Sequence, residues 1–310
     1  MAWPNQTAFN GFILLGFSNL GQLQGLLFVV FMLIYMLTLT GNFFIILLTS
    51  MDPTLCSPMY FFLQNLSFAE VGFVSTTIPK VLVDLLSEQK TISLLECRTQ
   101  MFFFFFFGTT ECFLLIAMAY DRFVAICNPL RYMVIMNRKF CLLVTMATWS
   151  SGFPVGTAQT MWLFSFPFCG SRTVSHFHCD TPPILQLACG DTSRFELFSL
   201  IGTFIIIICP FTLILISYIY ILDTILKMPS AEGRHKAFST CSSHIIVVTL
   251  FYGTASLTYF RPRSNYSPET KQLLSLSYVI ITPMLNPIIY SLRNKEVKNA
   301  ISRLLSKRLC

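Results

Sequence analysis

Seven stretches of the chain carry apolar side chains almost without interruption, and most of the charge is gathered in the short segments between them. The stretches cover about residues 26–50, 58–80, 97–127, 140–165, 197–226, 236–260 and 272–292. A helix needs about 20 apolar residues to cross a hydrocarbon core of about 30 Å, and each stretch meets that length. A soluble helical protein would need polar faces at helical spacing for its periphery, and these runs show none. The pattern predicts an all-α membrane protein, a seven-transmembrane helix bundle set in the lipid bilayer and formed by a single domain over residues 1–310.

Composition agrees with this, at 54% hydrophobic and 11% charged residues, against about 25% charged in soluble proteins. Charge then sets the orientation. With the N-terminus outside and the C-terminus inside, 13 of the 21 Lys and Arg residues fall on the cytoplasmic side, the bias of the positive-inside rule. The net charge of +7 is therefore a topology signal, and no nucleic-acid partner is expected. Asn5-Gln6-Thr7 is a glycosylation sequon in an uncharged tail, as an outer N-terminus requires. The first apolar run is long enough to span and has no basic segment before it, so it is expected to stay rather than be cleaved. After the last span, residues 294–305 set Val297, Ala300, Ile301, Leu304 and Leu305 at helical spacing opposite basic residues, which predicts a short interfacial eighth helix on the inner leaflet. Four of the 11 cysteines, Cys97, Cys169, Cys179 and Cys189, fall on the oxidising outer side. They allow three pairings, and spacing does not choose among them.

Candidate chemistry begins with MFFFFFFGTTEC, residues 101–112. Phe104, Phe107, Gly108 and Glu111 share one face of a helix. A carboxyl facing lipid costs several kcal/mol, so that face should look into the bundle. The second span holds the only other acid expected inside the membrane, Glu70. Two carboxylates that meet in a low dielectric either share a proton or hold a small cation such as Na⁺ between them; the alternative is two separately hydrogen-bonded, protonated acids. Three turns beyond Glu111 the same stripe reaches Arg122, beside Asp121. In the seventh span Pro287 frees a carbonyl and predicts a kink next to Asn286 and Tyr290, the parts of a two-state device.

DRFVAIC at 121–127 and NPIIY at 286–290 look like signatures of rhodopsin-like G-protein-coupled receptors. PMYFFLQNLSFAE (58–70), MAYDRFVAIC (118–127), SYIYI (217–221), KAFSTCSSH (236–244) and PMLNPIIYSLRN (283–294) resemble odorant receptors, in order and across nearly the whole chain. FYGT at 251–254 is similar to the larger, terrestrial subclass, which detects mostly volatile, hydrophobic odorants. The resemblance implies disulfides Cys97–Cys179 and Cys169–Cys189, and an inward-facing switch in which Tyr218, Arg122 and Tyr290 take part. It also implies an odorant ligand, an olfactory stimulatory heterotrimeric G protein as partner, and a plasma-membrane location in the cilia of olfactory sensory neurons. Two positions depart from the family: Glu70 stands where Asp is usual, and Phe123 replaces the Tyr that follows Asp-Arg.

Helical faces then place an apolar ligand pocket toward the outer side. Phe104, Phe105, Gly108 and Thr109 would wall it one to two turns above Glu111. Gly202, Thr203 and Ile206 would come from the fifth span, Tyr252, Ala255, Ser256 and Tyr259 from the sixth, and Leu276 and Val279 from the seventh. No cofactor is expected beyond a Na⁺ at the Glu70–Glu111 site. Three other readings compete. An ion-coupled transporter or channel would use the Glu70–Glu111 pair, although no repeat divides the spans into halves. A membrane hydrolase has only Ser243-His244 to offer, and adjacent residues point apart on a helix. A metal-sensing outer loop would use His176, His178 and Cys179.

Overall fold

The computed structural model describes residues 11–169, 171–259, 268–292, 297–300 and 302–303. Seven long helices form the bundle: α1 (Gln24–Met51), α2 (Pro58–Leu86), α3 (Leu94–Cys127), α4 (Arg138–Leu163), α5 (Ser193–Leu226), α6 (Ala231–Tyr259) and α7, which runs through Pro268–Leu276, Ser277–Ile281 and Thr282–Leu292. Among the described residues six of these are long and apolar enough to cross a membrane on composition alone. The exception, α4, has 26 residues and so a length of about 39 Å, enough to span. Two of its hydroxyls are satisfied within the helix: Thr148 Oγ1 donates to the Val144 carbonyl at 2.9 Å and Ser151 Oγ to that of Thr148 at 2.7 Å.

Small residues decide how closely α4 approaches α3. Gly152 and Gly156 stand one turn apart and lie against the backbone carbonyls of Phe106 and Phe102, the small-xxx-small spacing that lets two membrane helices touch. A Cβ at Gly156 would sit 2.8 Å from the Phe102 oxygen, and one at Gly152 would also meet Thr110 Oγ1 at 3.0 Å. Gly152→Val is therefore expected to destabilise the purified receptor by roughly 1–3 kcal/mol. Gly253→Ala, whose added Cβ meets nothing within 4 Å, should be neutral or stabilising by up to about 1 kcal/mol. Thermal melting of the two variants checks this, and equal melting points would refute it.

α2 runs on to Leu86 rather than ending near residue 80, so a further acid, Asp84, lies on a bundle helix, at its outer end where Lys80 pairs with it. α3 starts with a capping box in which Ser93 Oγ accepts from Glu96 N at 3.2 Å and Glu96 Oε2 accepts from Ser93 N at 2.8 Å. Outside the bundle, β1 (Gly11–Leu14) pairs antiparallel with β2 (Thr91–Ser93) and parallel with β3 (Thr173–Val174). Phe12, Leu14, Ile92, Val174 and Ile184 pack with Cys97, Cys179 and Phe195 into a hydrophobic cluster of their own. The outer cap is thus a folded unit over the mouth of the bundle. At the cytoplasmic end Arg303 reaches back to Asp52 Oδ2 at 3.0 Å and to Thr54 Oγ1 at 2.7 Å. Hydrogen bonds from Thr54, then Arg303, hold the Asp52 carboxyl down at about 2. Of the expected interfacial helix, Val297 and Ala300 are buried; most of its other residues, like Asn5, lie outside the described residues.

Candidate functional site

The six phenylalanines take different surroundings, as 100° steps around a helix require. Phe103 is exposed toward lipid. Phe102 and Phe106 stack on each other and flank the glycines of α4. Phe107 was expected on the Glu111 face but lies over Gly72 of α2 and edge-on to Trp149, because only Gly72 leaves room for its ring. Phe104 packs inward against Phe73 and Tyr278 with ring centroids 4.9 and 6.1 Å away.

Phe104 and Phe105 open onto a cavity of about 50 Å³. Gly108, Thr109, Gly202, Thr203, Ile206, Ala255 and Tyr259, expected from sequence, line the same space; Cys112, Val155, Gln159, Ile207 and Tyr278 complete it. Tyr252, Ser256, Leu276 and Val279 do not. Tyr252 is fully buried beneath the floor, where its hydroxyl donates to the Cys112 carbonyl at 2.8 Å. In α7 a π-helical turn over Ser277–Ile281 widens the helix and brings Tyr278 to the wall in place of Leu276 or Val279. A matching turn in α5, Phe204–Ile208, brings the neighbours Ile206 and Ile207 to the same wall. Regular 100° spacing cannot predict either.

Above this cavity lies a chamber of about 520 Å³ under the second outer loop, and Phe105, Thr203 and Tyr259 belong to both walls. Disulfides Cys97–Cys179 and Cys169–Cys189, with Cα separations of 5.6 and 6.0 Å, pin the loop. The N–H of Cys179 also donates to Gln100 Oε1 at 2.8 Å. Tyr259 Oη approaches both Asp180 oxygens, at 3.3 and 3.4 Å. Burial pushes Asp180 up to about 6 and His176 down to about 4, so the histidine is neutral where it meets Ser275 Oγ at 3.1 Å. The loop does not make a metal sensor: Cys179 is consumed by its disulfide, and among the described residues no three His, Cys, Asp or Glu side chains gather as ligands.

Below the cavity floor comes a buried polar layer. Asn286 Nδ2 donates to Glu70 Oε1, and Asn42 lies beside the same carboxylate. Glu111, 1% exposed, lies in the same buried layer as Glu70. Among the described residues three buried oxygens here have no partner: Glu111 Oε1, Asn42 Oδ1 and Asn286 Oδ1. Gly41 packs on Pro287 of α7. Further in, Asp121 Oδ1 accepts from Tyr132 Oη at 2.8 Å instead of closing onto Arg122, whose Nε is unpartnered, as is Tyr290 Oη. Tyr218 Oη and His244 Nδ1 are 2.6 Å apart. That contact, with both Ser243 and His244 buried, removes the pair as a hydrolytic nucleophile and base.

A seven-helix membrane bundle with a disulfide-pinned cap over an apolar cavity, and a polar core leading to an Asp-Arg pair inside, has the architecture of a ligand-gated receptor. The family profile described as Olfactory receptor matches residues 31–308. The chain is 60% identical over 310 residues to olfactory receptor 10A5 of Homo sapiens, covering 100% of this chain and 98% of that one. It is 60% identical to olfactory receptor 10A2 of Homo sapiens over 296 residues, 95% of this chain and 98% of the relative. With olfactory receptor 10C1 of Homo sapiens it shares 54% identity over 303 residues, 98% and 97% of the two chains. The chain belongs to the olfactory receptor family: it is a multi-pass plasma-membrane receptor and not an enzyme.

Proposed function

We propose that the chain binds a small, mostly hydrophobic volatile odorant in the cavity beneath the second outer loop, and that binding activates a stimulatory heterotrimeric G protein to raise cAMP. The observation that carries this reading is the apolar cavity walled by Phe104, Phe105, Ile206 and Tyr278 together with the roomier chamber that adjoins it at Phe105, Thr203 and Tyr259. A ligand there touches α3, α5, α6 and α7 at once, and Cys112 links it to the floor, where Tyr252 is anchored. A shift of α6 would be felt at the Tyr218–His244 contact and at Arg122 on the cytoplasmic side. Asp121, Arg122, Tyr218, Asn286, Pro287 and Tyr290 form the proposed switch.

The Glu70–Glu111 layer is the proposed site of a Na⁺ or a shared proton. The residues fit a hard cation: two carboxylates, one of them with the unpartnered Glu111 Oε1, and the two unpartnered amide oxygens of Asn42 and Asn286. Glu70, Glu111, Asn42 and Asn286 would hold it, and it would supply the positive charge that lets both acids ionise. The transporter or channel reading rests on the same layer, and ion flux through the purified protein in liposomes would favour it.

Gly108→Leu tests the cavity. A Cβ at Gly108 already meets Tyr278 Oη at 3.1 Å and Phe73 at 3.5 Å, so a leucine fills the space and should weaken nearly every agonist. Tyr259→Phe keeps the ring and removes a hydroxyl, which should weaken ligands that accept a hydrogen bond by about 0.5–1.5 kcal/mol, up to roughly tenfold. Dose–response curves for cAMP, normalised to surface expression over a chemically broad odorant panel, check both. Curves left unmoved by Gly108→Leu would place the ligand elsewhere.

A further inference from the structure

On the lipid-facing flank of the bundle, α3 and α4 part toward the cytoplasmic side and leave an apolar groove of about 500 Å³. Phe62 of α2, fully buried, forms its floor, so the groove reaches past the two outer helices into the bundle wall. Ala117 and Ala147 make the concavity, and Met136 and Phe140 end it at the cytoplasmic side. Thr148 and Ser151 also line it but return their hydroxyls to the α4 backbone, so neither recruits a polar ligand.

The groove ends where charge is unmatched. Arg138 and Lys139, immediately before Phe140, are exposed, and among the described residues neither has an ion-pair partner. No acid lies in the first turn of α4, where a helix favours negative charge. In a cell this edge lies at the level of the phosphates of the inner leaflet, which carries the anionic lipids. An apolar slot inside the hydrocarbon thickness, with two uncompensated cations at its mouth, matches a diacyl tail beneath an anionic head.

We propose that this groove binds an anionic glycerophospholipid of the inner leaflet, with an acyl chain between α3 and α4 over Phe62 and its headgroup held by Arg138 and Lys139. The site is separate from the outer cavity and does not depend on what that cavity binds. Met136 stands just after the turn that carries Tyr132, the donor to Asp121, so the bound chain braces the loop that holds the Asp121 carboxylate.

Native mass spectrometry of the purified receptor tests this, using phosphatidylserine and phosphatidylcholine of identical chains, with cholesterol as competitor. The wild type should retain phosphatidylserine over phosphatidylcholine by roughly ten- to thirtyfold, as two nearby cations predict. Arg138→Gln with Lys139→Gln should bring that ratio close to one while phosphatidylcholine still binds. Ala147→Phe fills the groove from its exposed side and should reduce retention of both lipids with the melting temperature unchanged; Val144→Trp, one turn away, repeats the test if Ala147→Phe does not fold. Equal retention of the two lipids by the wild type overturns the proposal. So does undiminished phosphatidylserine in the groove-filling variants, or its displacement by cholesterol.

Discussion

Replacing Cys97 by serine is expected to strip the receptor from the cell surface. The Cys97–Cys179 bond closes 82 residues of chain, and cross-linking a loop of that length removes about 4.5 kcal/mol of denatured-state entropy at 25 °C on the loop-closure account. That is a large share of the about 5–15 kcal/mol by which folded proteins are stable. The loss is also local. Cys97 and Cys179 are both fully buried in the cluster that unites the outer cap with the top of α3, and the Cys179 amide is held by Gln100. Without the bond the cap can lift from the cavity it covers. Cys169→Ser opens a 20-residue loop, worth about 3.3 kcal/mol on the same account, and should be the milder lesion. Flow cytometry on intact cells ranks the two. Normal surface levels and an unaltered odorant response in Cys97→Ser would sink the argument.

Glu111→Gln is expected to raise basal cAMP and to abolish any dependence of signalling on Na⁺. At the proposed site, a cation or proton shared by Glu111 and the Glu70–Asn286 pair would tie α3 to α2 and α7 close to Pro287. Neutralising one acid removes the reason for either to be held there, and the tie loosens. Two buried acids that share a charge titrate and act as one unit. Neutralising both Glu70 and Glu111 should therefore add much less than the sum of the single effects, with a coupling of about 0.5–3 kcal/mol. The measurement is a double-mutant cycle on cAMP output, normalised to surface expression, in sodium and in sodium-free buffer. Strict additivity, or a Na⁺ response that survives in the double variant, would assign the two acids separate structural roles.

Much of this was legible in the chain because membrane spans are coarse features. Length and apolar content locate the spans, and only α4, rich in Ser, Thr and Gly, needs its helix length to qualify. The ends were less clear. α2 continues past Lys80 because an acid one turn on, Asp84, neutralises it, which an apolar-run argument treats as a stop. In the cavity wall α3 is regular, so Phe104, Phe105, Gly108 and Thr109 line it at ordinary helical spacing. In α7 the π-helical turn at Ser277–Ile281 breaks the 100° step on which face-counting depends. Gln159 and Val155 escaped notice because α4 reaches the cavity only through the close approach set by Gly152 and Gly156, a property of two helices together. Gly152-x-x-x-Gly156 was the signal that could have found them.

The shared wall of the two outer spaces bears on time rather than on preference. A molecule leaving the proposed inner site through the upper chamber would pass Phe105, Thr203 and Tyr259, and Tyr259 is tethered to Asp180. On that reading the inner cavity would fix which molecules are held, and the neck how long each one stays. Two odorants of equal affinity but different girth would then produce responses of equal height and unequal duration. The wide upper chamber would act as a waiting room from which a departing molecule is recaptured before it is lost.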